Sequence, residues 1–101
     1  MNLREAICQV HELPEEGILF VEPIEGEFSP ESRTVVLELS DSELATPVAS
    51  VAALRAPGTE YFLEAFLVKE FIESWLLANP GMPAGHPQAI QRIISYAVND
   101  A

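Results

Sequence analysis

The apolar positions fall into blocks whose period changes along the chain, and each change marks a boundary between elements. Leu3, Ala6, Ile7, Val10 and Leu13 recur at helical spacing, which predicts a first helix from Leu3 to about Leu13. Asn2 stands in the N-cap position with Glu5 three residues on, the pattern of a reciprocal capping box, and Pro14 limits continuation. Ile18-Leu19-Phe20-Val21-Glu22, between Gly17 and Pro23, and Thr34-Val35-Val36-Leu37-Glu38-Leu39, before Ser40-Asp41-Ser42, are short β-rich runs and predict two strands. The connection from Pro23 to Arg33 is longer than a tight hairpin needs and predicts an exposed excursion.

Thr46-Pro47 predicts a helix start, with Thr46 as cap and Pro47 in the first turn, and Pro57-Gly58 predicts its end. From Glu60 the signal is mixed. Tyr61, Leu63 and Ala65 alternate with their neighbours as in a strand, whereas Val68, Phe71, Ile72, Trp75 and Leu76 follow helical spacing. One helix from Thr59 to Ala78 competes with a strand followed by a helix, and Gly58-Thr59 before an aromatic alternating run favours the latter. Asn79 to Gly85 forms a turn-rich break, and His86-Pro87 opens a last helix with Ile90, Ile93, Ile94 and Ala97 as its apolar stripe. The order α-β-β-α-β-α-α predicts a single α+β domain over residues 1–101: a small, mostly antiparallel sheet with helices on one face.

Composition agrees with a folded domain, because 49% of the 101 residues are hydrophobic despite a net charge of −11. That charge is concentrated. Glu12 to Glu43 holds ten acids against Arg33 alone, a net of −9, while Leu44 to Ala101 holds five acids and three bases, a net of −2. The scattered bases argue against direct nucleic-acid binding and against an anionic membrane surface. A single cysteine leaves no internal disulfide, and the first residues lack a secretory apolar stretch, so a cytoplasmic, bacterial-type setting is expected.

Catalytic constellations are thin. The five glycines form neither a dinucleotide fingerprint nor a phosphate loop, and one cysteine with two separated histidines makes no zinc ligand set. The glutamates between Glu22 and Glu31 lack the order of a calcium loop. Cys8 and His11 lie three apart, but Cys8 flanks the apolar stripe and reads as a small packing side chain. Asp41 with Glu43, and Glu15 with Glu16, read as solvated or helix-start charges rather than an acid/base pair. The expectation is a non-enzymatic protein that needs no cofactor and no metal.

What remains is the acidic tract. Glu15, Glu16, Glu22, Glu25, Glu27 and Glu31, taken as two neighbouring loops with Phe28 as an apolar anchor, predict a docking surface for a basic protein partner. The competing reading is a homodimer joined through Phe62, Phe66 or the C-terminal helices, with acidity serving only solubility. The run from Leu13-Pro14 through Ile18-Leu19-Phe20-Val21, Val35-Val36-Leu37-Glu38 with its acidic turn, and Tyr61-Phe62-Leu63-Glu64 before a helix resembles a family of small acidic bacterial domains. Some of these are linked to polymorphic-toxin immunity. The resemblance implies an immunity-type inhibitor of a cationic toxin, and it supplies no catalytic or binding residues.

Overall fold

The computed structural model describes residues 1–99. Three antiparallel strands form one sheet in the order β2-β1-β3, with β1 at Gly17–Val21, β2 at Thr34–Glu38 and β3 at Glu60–Glu64. Five helices surround it: α1 (Leu3–Cys8), α2 (Asp41–Leu44), α3 (Val48–Arg55), α4 (Ala65–Ala78) and α5 (Pro87–Asn99). The class is α+β and the element order is essentially that predicted, with α2 added.

All five residues of β1 are buried, which is why the run reads as continuous hydrophobic sequence rather than alternation. Successive side chains leave opposite faces of the sheet. Leu19 and Val21 enter a large cluster with Leu3, Ile7, Val68, Ile72, Ile90 and Ile93; Ile18 and Phe20 enter a smaller one with Leu37, Ala52 and Ala56. The expected helical layer on one face is therefore the α1, α4 and α5 side. The other face has its own thinner cover, α3, because β1 has no polar side to expose.

β3 begins as an alternating strand and then slips. Leu19 faces Leu63 and Phe20 faces Tyr61, so Phe62 is an extra residue, a β-bulge. The bulge turns Phe62 and Leu63 into the same large cluster, while Tyr61 sits beside Phe20 with ring centroids 6.4 Å apart at 86°. The strand-then-helix division of 60–78 stands, with α4 starting at Ala65.

Several local expectations change. α1 ends at Cys8, and the chain tightens into a 3₁₀ turn over Val10–Glu12 instead of running helically to Leu13. Pro14 has no N–H to donate to the Val10 carbonyl, which takes the Leu13 N–H instead at 3.2 Å. The capping box at its start is present, with the Glu5 N–H donating to Asn2 Oδ1 and the Asn2 N–H to Glu5 Oε1, each at 2.8 Å. Cys8 is exposed rather than a core packing residue, because it points off the buried stripe of Leu3, Ala6, Ile7 and Val10, with its Sγ beside Gly85. Thr46 does not cap α3; its hydroxyl donates to the Ser42 carbonyl at 2.9 Å, and Pro47 takes the cap position. Ser40 and Glu43 instead make a second capping box, which creates α2.

The 23–33 connection is no loose excursion. Ile24 and Glu27 exchange backbone hydrogen bonds of 2.8 and 3.1 Å around Glu25 (φ 54°) and Gly26 (φ 82°), the positive-φ pair of a tight two-residue turn. Beyond it the Leu3 N–H donates to the Ser32 carbonyl and the Arg4 N–H to the Pro30 carbonyl, tying the connection to the chain start.

Candidate docking surface

Strand register decides where the acidic residues go. Glu15 and Glu16 precede β1, whereas Glu22, Glu25, Glu27 and Glu31 follow it, so the five-residue strand puts the two groups about 13 Å or more apart at opposite ends. They are not neighbouring loops. Two of the six are engaged within the fold: Glu31 pairs with Arg4, and Glu22 Oε2 lies 3.7 Å from Arg33, whose guanidinium also donates to the Pro57 carbonyl at 2.6 Å. Phe28 is half-buried with its ring edge-on to Phe62, centroids 5.2 Å apart, so it serves the core before it can serve as an anchor.

What the structure brings together is a different set. Glu15 and Glu16 meet Asp41 from α2 and Glu64 from the end of β3 around a hollow of about 370 Å³ floored by Ile18, Leu39, Leu44 and Phe66. Leu44 is 62% exposed and Phe66 45%, large values for side chains of this size. None of these four carboxylates has a salt-bridge partner among the described residues, since Arg4, Arg33 and Arg55 pair with Glu31, Glu22 and Glu43. A separate hollow, about 300 Å³, lies between α3 and the start of β3, lined by Val48 (42% exposed), Glu60 and Tyr61 (37%), and shares no residue with the first.

Local geometry explains why these side chains stand out. The Ser40 capping box fixes α2 across the start of β1, and α2 is too short to bury Leu44. Arg55 holds α2 to α3, its Nη1 donating to Glu43 Oε1 at 3.0 Å. The Glu43 carboxyl is kept below its ordinary value of 4.5, first by the Ser40 backbone N–H and then, against desolvation, by Arg55. The bulge at Phe62 shifts Glu64 onto the Ile18 side, and α4 then begins with Phe66 on its outer surface. Tyr61 has its pKa raised above 10, first by burial and next by the negative charge of Glu64.

Glu15, Glu16 and Phe66 are the members of this set that the sequence points to. Leu44, Asp41 and Glu64 carry no such signal in the sequence, and Phe62, the other aromatic offered for an interface, is buried in the large cluster. The Ser40-x-x-Glu43 spacing was a readable sign of α2, but the exposure of Leu44 and Glu64 follows from tertiary placement.

The remaining chemistry is sparse. Among the described residues no three His, Cys, Asp or Glu side chains gather as a metal-binding group. Cys8 and His11 are both exposed, and neither lines the hollows above. His86 accepts the Gln88 N–H at Nδ1 (3.1 Å) and lies against Trp75, a capping and packing role at the start of α5. No helix of the described residues is long and apolar enough to cross a membrane. Comparison of the chain with protein-family models, with curated proteins and with solved structures finds no match.

Proposed function

We propose that this chain is a non-enzymatic docking protein that binds a basic protein partner on the surface formed by Leu44 and Phe66. The observation that carries the reading is the ring of unpaired carboxylates, Glu15, Glu16, Asp41 and Glu64, around the exposed Phe66 and Leu44. Aromatic and aliphatic side chains at the centre of a patch supply affinity when water is excluded from them. Unpaired carboxylates at the rim speed encounter with a cationic surface and reject acidic ones. An immunity-type inhibitor of a cationic toxin is one protein of this kind, and a cytoplasmic setting suits it.

Self-association through Phe66 is disfavoured by the same rim. A two-fold contact centred on Phe66 sets Glu15, Glu16, Asp41 and Glu64 of one copy near those of the other, and like charges brought together cost binding energy. The deciding experiment is isothermal titration against the protein encoded by the adjacent gene, at low and at high salt, with wild type and Phe66→Ser. Binding that weakens with salt and falls by about tenfold or more in the variant supports the reading. Binding indifferent to both overturns it.

A further inference from the structure

None of the chain's own cations lines the Phe66 hollow. Arg4, Arg33 and Arg55 pair with Glu31, Glu22 and Glu43, Lys69 Nζ donates to the Leu13 carbonyl at 3.3 Å, and Arg92 lines a different hollow beside Trp75. The acids of the rim are also spared from capping: Glu64 holds the N-cap position of α4 without a side-chain cap hydrogen bond, and Ser40 rather than Asp41 caps α2. The starts of α2 and α4 border the hollow and bring at most about +0.5 charge each against four carboxylates, so its field stays negative. At about 370 Å³ the hollow stands near the lower end of the roughly 300–1,000 Å³ of ordinary ligand pockets, room for one long side chain rather than for a length of folded chain.

Resting on the docking reading above, we propose that the partner inserts the side chain of one arginine into this hollow. The site asks for a group that is apolar on one side and cationic at its edge, because an exposed aromatic ring and Leu44 lie within a rim of carboxylates. A guanidinium meets both demands at once: its flat face stacks on the Phe66 ring while its edge N–H groups donate to the rim carboxylates. Its methylene stem covers Leu44. A lysine ammonium is a compact, strongly hydrated charge that has no face to stack, so it satisfies the rim and leaves the ring. An uncharged apolar side chain does the reverse, taking water from the carboxylates without replacing it. An acidic side chain is repelled.

NMR titration of the whole chain with N-acetyl-arginine methylamide, against N-acetyl-lysine methylamide, tests the proposal. The two compounds carry equal charge, so the expected preference for arginine, about threefold or more, reads the stacking surface and the shape of the guanidinium. The amide shifts should centre on Leu44, Glu64 and Phe66. Phe66→Leu keeps the floor apolar and removes the ring, and should bring the two affinities within about twofold of each other. Glu64→Gln, which leaves the ring in place, should weaken both compounds. Equal affinities in wild type, shifts centred elsewhere, or no binding of either compound overturns the arginine proposal. If titration with the neighbouring gene product still responds to salt and to Phe66→Ser while the two compounds bind alike, the docking reading stands and the arginine falls. If that titration is indifferent to both salt and Phe66→Ser, the docking reading falls and the arginine with it.

Discussion

The two faces of the sheet are built to different depths. On the α1/α4/α5 side, fourteen buried residues, including Leu3, Ile7, Phe62, Ile72, Ile90 and Ile93, form one cluster; on the α3 side the cluster has five, two of them alanines. Buried apolar area is the main source of stability, so the first face holds the fold and the second is closed only as far as Ala52 and Ala56 allow. The exposed Leu44, Val48, Tyr61 and Phe66 lie along the margin of that thin side. A surface left apolar where the cover is shallow can be offered to a partner without weakening the deep core.

The largest effect that would break this contrast is Ile72→Ala. Ile72 is fully buried in the middle of α4, and its truncation is expected to cost about 2–5 kcal/mol in urea unfolding. Leu37→Ala, on the shallow side at 8% exposure, is expected at or below the low end of that range. Equal losses would mean that the two faces carry the fold alike.

Next in size is Gly58→Ala, at the turn that delivers α3 to β3. Gly58 has φ of 85°, and a Cβ there would approach Glu22 Oε2 to 2.7 Å. The left-handed backbone alone costs a residue with a Cβ about 1–2 kcal/mol, while the Glu22 carboxylate can swing aside at the expense of its contact with Arg33. A melting temperature unchanged by the substitution would show that the turn adapts.

Much of this architecture is legible in the chain because it rests on local signals. The Asn2/Glu5 capping box, the uninterrupted Ile18–Val21 run and the glycine before Tyr61 each report a structure made by neighbours in sequence. The site is less legible, for two physical reasons. Glu15 and Glu31 sit in one acidic tract, yet a single strand between them sends one to the Phe66 hollow and the other to Arg4. The bulge at Phe62 then reverses the face on which Glu64 falls, and a one-residue slip of this kind leaves no mark in an alternation pattern.

A smaller effect lies in α2, the element that seats Leu44. Ser40→Ala removes the hydroxyl that accepts the Glu43 N–H at 3.3 Å and is expected to cost about 1 kcal/mol. Glu43→Gln tests the other half of the box. The folded-state pKa of Glu43 lies below its ordinary value of 4.5, so its contribution is present above that value and is lost as pH falls through the folded pKa. Wild type and Glu43→Gln should therefore differ in denaturation midpoint at neutral pH and converge in acid. A gap that persists in acid would assign the difference to packing rather than charge.

The smallest expected change in stability is the one that matters most for function. Phe66 stands 45% exposed near the start of α4, outside both buried clusters, so Phe66→Ser gives up little apolar burial and is expected to stay within about 0.5 kcal/mol of wild type. Chemical denaturation of the two proteins side by side decides the point. A loss of about 2 kcal/mol or more would show that the ring closes the shallow face from outside and belongs to the core. A neutral result, together with weakened binding of the basic partner, would assign the aromatic to docking, because an apolar side chain that adds nothing to folding still lowers the free energy of a complex that covers it.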